Sequence, residues 1–543
     1  MSNYYKNYSR RRFLTQTGLG IAATLALPNW VGAMQGMAML PKMPKRTASP
    51  TFKPDVEFEL RCERGAVPIL TGQQTGVFQY RAKLLHGPDN TLVTLPDSYL
   101  GPLIQLQRGQ KVRIHLQNAL PEASVTHWHG LHVPAEMDGH PAYAIDPGES
   151  LIYEFEVLNR AGLNIYHPHP HEATATQVYY GLAGAIRISD AEEAALELPS
   201  GAYELPIVIQ DRAFDADNQL AYGHGMHASM MGNYGDRILV NGRADYQVDV
   251  DSRAYRLRIM NGSNARIYKL GWDDGTPMTV LGVDGGLLAA PEVKPYLMLA
   301  PGERLDVWAD FSGRNPGTLL TLRSLAFSGA LPSMGMMMAH SSLPLGSDFP
   351  IMTFKVARKT DDSPKLPKQL ASLTPLTVNQ CANPNQPRPI AISEGHMAML
   401  LNGHAYEYNN PLPSERIPVN TIQLMEIFHE HGGHGGMDMG RRHGSGGGRH
   451  GRMGMMMSMA HPIHLHGQQF QIISRSIDNP DDEGYASVRD GFIESGLKDT
   501  VLVMPGETVR IIKPFQDFKG LFMYHCHNLE HEDMGMMREF LIE

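Results

Sequence analysis

Cysteine is nearly missing from this chain: there are three in 543 residues. Three thiols cannot build a disulfide framework, and an odd number leaves at least one free or bound to something else. Positive charge is also short, with 47 basic against 56 acidic residues and a net charge of -9. No local basic excess of the kind that grips a nucleic-acid backbone is present, which excludes nucleic acid as the partner. Long helical periodicity is scarce, and the apolar run Gly18 to Leu27 is too short to span a bilayer. With 42% hydrophobic and 19% charged residues, the composition is that of a packed globular protein.

What the chain does carry is 32 Met and 25 His. With a spare thiol, these are soft and borderline ligands, which points to copper or zinc. The N-terminus reads Ser9-Arg10-Arg11-Arg12-Phe13-Leu14, then the apolar run, then the small residues Gly32 and Ala33. That order predicts a twin-arginine export signal over 1-33, followed by a linker over 34-49, an exported or periplasmic location, and no membrane span in the mature chain. An oxidising compartment would permit Cys62 and Cys381 to pair.

One phrase occurs three times: Asp146-Pro147-Gly148-Glu149-Ser150-Leu151, Ala300-Pro301-Gly302-Glu303-Arg304-Leu305 and Met504-Pro505-Gly506-Glu507-Thr508-Val509. Pro-Gly followed by alternating apolar residues is a turn entering a strand. Three copies, with alternation such as Val112, Ile114 and Leu116 around them, predict an all-β protein of three Greek-key units over 50-192, 193-360 and 361-543.

The histidines follow the repeat. His167-Pro168-His169 stands twenty residues after Pro147, and His525-Cys526-His527 stands twenty after Pro505. The matching offset in the middle unit holds Thr321 and Arg323, so that unit has no ligands there. His127-Trp128-His129-Gly130 and His464-Leu465-His466-Gly467 form a second matched pair. Residues i and i+2 of a strand share a face, so each His-x-His presents two imidazoles side by side, and four of them supply a multinuclear site between the first and last units. Cys526 points to the opposite face of its strand. With His461, His531 and Met536 it composes a mononuclear set of the blue-copper kind, a set in which Met argues against structural zinc.

These four motifs, continuing through His531-Glu532-Asp533-Met534-Gly535-Met536, resemble the multicopper oxidase family over residues 50-543. The likeness is nearest to the bacterial branch with three cupredoxin-like β-sandwich domains, which includes periplasmic cuprous oxidases and laccases. The resemblance implies four copper ions. Type 1 copper takes His461, Cys526, His531 and Met536, and type 2 copper takes His127 and His464. The type 3 pair takes His129, His167 and His527 on one ion and His169, His466 and His525 on the other. It also implies that electrons from a reducing substrate arrive at the type 1 site and pass through the peptide link from Cys526 to His525 and His527. Dioxygen is then reduced to two waters, with Asp138 and Glu532 as proton carriers.

Between His429 and Met459 the chain becomes rich in Met, His and Gly, and smaller clusters stand at His224, Met226, His227, Met230 and Met231 and at Met334 to Met338. Thioethers and imidazoles gather Cu(I). The segment resembles the Met-rich segments of cuprous oxidases, so Cu(I) is the expected reductant, in copper tolerance. Those enzymes also carry an acid a few residues ahead of the first His of the third motif, where this chain has Met457. A laccase acting on phenols or other metal ions, a copper-sequestering protein, and a ligand-poor scaffold of the cell-division kind are the competing readings; the full ligand set opposes the last.

Overall fold

The computed structural model describes residues 43-44, 46-332, 342-395, 398-429 and 458-543. The expected export signal, Met334 to Met338 and the interior of the Met/His-rich segment lie outside the described residues.

The all-β expectation is met. Strands between Val56 and Ser189 form a four- and a five-stranded sheet, those between Glu204 and Arg358 a seven- and a five-stranded sheet, and those between Arg388 and Ile542 a six- and a five-stranded sheet. Among the described residues the α-helices are single turns of four to six residues, and no helix is long and apolar enough to cross a membrane.

The repeated phrase has one structural meaning. In each set the opening strand pairs in parallel with a second, later strand: Val56–Val67 with Lys111–Asn118, Glu204–Arg212 with Ala254–Asn261, and Arg388–Gly395 with Thr421–His429. The second then pairs antiparallel with the strand that the Pro-Gly turn launches, Ser150–Glu156, Arg304–Asp310 or Glu507–Phe515. Gly148, Gly302 and Gly506 all take left-handed backbone (φ 83°, 81° and 73°), which glycine adopts at least cost. Non-consecutive neighbours and crossovers of this kind are Greek-key connections.

Alternation along the strands builds the cores. In Lys111–Asn118 the residues Val112, Ile114 and Leu116 are buried while their neighbours are partly exposed. The cluster around Val112 and Phe58 fills the first pair of sheets, that around Leu257 and Val307 the second, and that around Ile463 and Cys526 the third. Cys62 sits in the first of these and Cys381 in a small separate cluster with Leu424 and Ile512. Both thiols are free, so the disulfide an oxidising compartment would permit is not made.

The segment 429-459 is anchored at both ends. His429 closes the strand Thr421–His429 and is buried, and Met459 is 2% exposed in the third core.

Candidate metal centre

The ligand strands pair in a register that brings the motifs together. His127 lies opposite His167 in the pairing of Thr126–His127 with Gly162–Pro168. His464 lies opposite His525 in the pairing of His461–Leu465 with Gly520–Cys526. The eight imidazoles of the four His-x-His motifs converge between the first and last pairs of sheets, none more than 5% exposed. The His127 ring stacks on His466 at 3.8 Å between centroids, and His129 stacks on His464 at 3.6 Å.

Hydrogen bonds to carbonyl oxygens set the tautomers. Nδ1 of His127 donates to Asp138 O (2.6 Å), that of His167 to Pro168 O (2.8 Å), that of His464 to Asp499 O (2.9 Å) and that of His525 to Cys526 O (3.1 Å). Nδ1 of His466 donates to the Asp138 carboxylate at 2.7 Å. With the proton on Nδ1, each Nε2 keeps its lone pair. Yet the Nε2 atoms of His127 and His464 stand 3.4 Å apart, and that of His525 lies 3.2 Å from His466 and 3.3 Å from His169. Two lone pairs that close repel unless a cation lies between them. Nε2 of His167 and both ring nitrogens of His527 are buried without a hydrogen-bond partner, a cost that a bound metal removes. The donor set therefore fits copper.

Of the sequence-predicted groupings, His169, His466 and His525 bring their nitrogens within 4.8 Å of one another, and His127 and His464 form a close pair. His129, His167 and His527 have ring centroids 4.9 to 5.7 Å apart, and His129 and His167 bring their nitrogens within 4.8 Å of His127 rather than of His527. The Asp499 carboxylate and the Thr500 hydroxyl each lie 3.1 Å from Nε2 of His129. Asp138 and Glu532 both touch ligand imidazoles; a Glu532 oxygen lies 3.1 Å from Nδ1 of His525. Burial raises the Asp138 carboxyl above the usual carboxylate range, opposed by His127 beside it.

The mononuclear set lies across the strand. Sγ of Cys526 is 3.4 Å from Nδ1 of His461 and 3.6 Å from Nδ1 of His531, and the Asn528 amide donates to it at 3.4 Å. Met536 is fully buried in the same core, and its carbonyl accepts from the Cys526 amide at 3.0 Å. Each imidazole uses its other nitrogen outward, as metal-bound histidines do. Nε2 of His461 donates to Glu394 at 2.7 Å, and Nε2 of His531 donates to the Met230 carbonyl at 3.0 Å. Glu394 comes from the strand Arg388–Gly395. Its carboxyl is raised by burial, partly offset by His429.

The middle pair of sheets brings no ligands but walls the cluster. A Cβ on Gly302 would stand 2.9 Å from His527 and 3.0 Å from His129. Two residues on, Arg304 is buried and clamps both Asp499 oxygens at 2.6 Å. Sequence reading missed Arg304, Asp499 and Glu394. Only Arg304 left a signal: it stands where the other copies of the repeat have Ser150 and Thr508.

Burial holds His167, His461 and His531 down to about 3, against about 6.5 for an exposed imidazole. Between those values the unfolded chain binds protons that the folded chain refuses, so stability is present above about pH 6.5 and is lost as pH falls toward 3. Urea titrations of the metal-free protein at about pH 7 and about pH 4.5 are expected to show a lower midpoint at acid pH, at roughly 1.4 kcal/mol per pH unit for each group. Equal midpoints would show that these imidazoles are not buried neutral.

Two family models described as multicopper oxidase match residues 77–193 and 451–543. A laccase of Bacillus stratosphericus is 30% identical over 509 residues, covering 83% of this chain and 90% of that protein. The crystal structure of the McoA multicopper oxidase of the hyperthermophile Aquifex aeolicus superposes with a TM-score of 0.72 at 30% identity, over 92% of this chain and 100% of that one. A Campylobacter jejuni multicopper oxidase, described as a metallo-oxidase, gives 0.69 at 26% identity, over 93% of this chain and 94% of that one.

Proposed function

Because this chain belongs to the multicopper oxidase family, an oxidase that couples oxidation of a reducing substrate to reduction of dioxygen, we propose that its physiological reductant is Cu(I) and its role copper tolerance in an exported compartment. The observation that carries the reading is the Glu394 contact. The carboxylate that accepts from His461 also accepts from the Met459 amide at 2.9 Å, so it sits where the Met/His-rich sequence joins the fold. His429, at the other end of that sequence, has its ring 5.7 Å from His461. A carboxylate and soft side chains beside an electron-accepting imidazole suit a cuprous ion better than a neutral phenol.

In this reading His461, Cys526, His531 and Met536 hold type 1 copper. His127 and His464 hold type 2, and the remaining six histidines of the four motifs hold the type 3 pair. The domains run over 50-192, 193-360 and 361-543, behind a twin-arginine signal over 1-33. Copper supplies the one-electron redox steps that amino-acid side chains cannot. The chain orients the imidazoles through Asp138, Asp499 and backbone carbonyls, keeps bulk water out by burial, and places Asp138 and Glu532 against ligand rings, within reach to carry protons.

The test is oxygen uptake by the copper-loaded protein with Cu(I) and with a phenol. A deletion confined to 431-457 spares the buried His429 and Met459. Cu(I)-driven uptake is expected in the wild type and is expected to fall in the deletion, with phenol-driven uptake kept. Glu394→Gln is expected to lower kcat/KM for Cu(I) by about 10–100-fold, the usual cost of losing an outer-shell partner, with type 1 absorption retained. Uptake with the phenol alone would make the protein a laccase; a fully loaded protein idle with both would make it a copper store.

A further inference from the structure

The middle sheets bring no ligand, yet they grip the segment Leu497 to Thr500 that lies against two of them. Asp284 accepts from the Arg304 amide at 2.8 Å and from Nζ of Lys498 at 3.1 Å. The Gly285 amide donates to the Leu497 carbonyl at 2.8 Å. Arg304 holds both Asp499 oxygens at 2.6 Å. The grip is close enough to demand glycine in the first motif: a Cβ on Gly130 would lie 2.6 Å from Nη2 of Arg304 and 2.8 Å from Oδ2 of Asp499.

Asp499 and Thr500 touch the stacked rings of His464 and His129 in opposite ways. The Asp499 carbonyl and the Thr500 hydroxyl accept from Nδ1 of His464 at 2.9 and 3.1 Å. The Asp499 side chain and the same hydroxyl face Nε2 of His129. Counting hydrogens fixes the direction of those contacts. A carboxylate clamped by a guanidinium only accepts, and the single hydroxyl hydrogen of Thr500 is given to Oδ1 of Asp499 at 3.0 Å. Neither group can donate to His129, so Nε2 of that ring carries the proton. Its lone pair is then on Nδ1, which is buried without a hydrogen-bond partner. His127, His167, His464, His466 and His525 carry the proton on Nδ1 instead.

We propose that Asp499 and Thr500 are positioning residues that sort the two stacked rings between different metal ions by giving them opposite tautomers, with Asp284 and Arg304 of the middle sheets holding the pair in place. The proposal rests on the ligand assignment above, in which His464 serves type 2 copper and His129 the type 3 pair. His464 offers Nε2 toward His127, 3.4 Å away. His129 offers Nδ1, because the opposite tautomer would set a lone pair against a carboxylate. The middle unit, which has no ligands of its own, thereby acts on the metals through a chain of hydrogen bonds.

Neutron diffraction from crystals of the metal-free, deuterated protein tests the proton positions directly. A deuteron is expected on Nε2 of His129 and on Nδ1 of the other five rings; a deuteron on Nδ1 of His129 overturns the proposal. Asp499→Asn supplies the second arm. Its carbonyl oxygen is held by Arg304, so its amide turns to His129 and donates, which selects the wrong tautomer as an asparagine does in place of a histidine-orienting aspartate. The deuteron is expected to move to Nδ1 of His129. Affinity for one copper is expected to fall by about 10–100-fold, with type 1 absorption kept. A variant with unchanged copper affinity overturns the positioning role. If type 1 absorption is lost as well, the variant has misfolded, and the deuteron in wild type decides. A crystal structure of the copper-loaded wild type separates the two claims: copper bound away from His129 defeats the ligand assignment, whatever the deuteron shows.

Discussion

Under the proposed ligand assignment, Cys526→Ser is expected to abolish type 1 absorption, remove one bound copper, and reduce oxygen uptake by far more than the roughly 10–100-fold cost of losing an outer hydrogen bond. The sulfur is fully buried between two imidazole nitrogens, and burial pushes its thiol far above the ordinary range, so without metal it stays protonated. A bound cation reverses that, because a coordinating thiol gives up its proton outright. A serine hydroxyl is harder, shorter and less acidic, and binds copper poorly. The eight imidazoles of the other site lie across the strand and lose nothing. Metal analysis with absorption spectroscopy checks the result, and a variant that keeps its colour would remove Cys526 from the site.

Arg304→Met is expected to cost about 3–5 kcal/mol of stability, the usual consequence of removing one partner from a buried ion pair. The guanidinium is about 1% exposed, grips both Asp499 oxygens, and donates from Nε to the Leu163 carbonyl at 3.0 Å. One side chain thus ties the middle sheets to the first and the last. Losing it strands a buried Asp499, and Asp499 contacts His129 and His464. Copper retention under a chelator is therefore expected to weaken alongside the urea midpoint. A change below about 1 kcal/mol, the scale of an exposed pair, would show that the clamp is not structural.

The metal ligands were legible because strand periodicity is short-range: His127 and His129, or His525 and His527, announce a shared face within three residues. The three-fold turn was legible because a left-handed glycine after proline leaves a mark in sequence. Glu394, Asp499 and the Met230 carbonyl left none. Each is a single residue whose role depends on where a distant strand or helix lands, and a carbonyl has no letter of its own. The contact of His129 with Asp499 was likewise hidden, since it depends on a carboxylate 370 residues away in the chain.

The stacked and paired imidazoles carry a consequence for biosynthesis. His127 and His464 are 337 residues apart in sequence, so at 5–20 residues per second the ribosome needs roughly 15–70 s between them. During that interval the first pair of sheets holds four of the eight imidazoles. The close pair His127–His464 and the stack of His129 on His464 form only once the last strands are made. Loading of the whole cluster therefore follows synthesis and folding of the third set of strands.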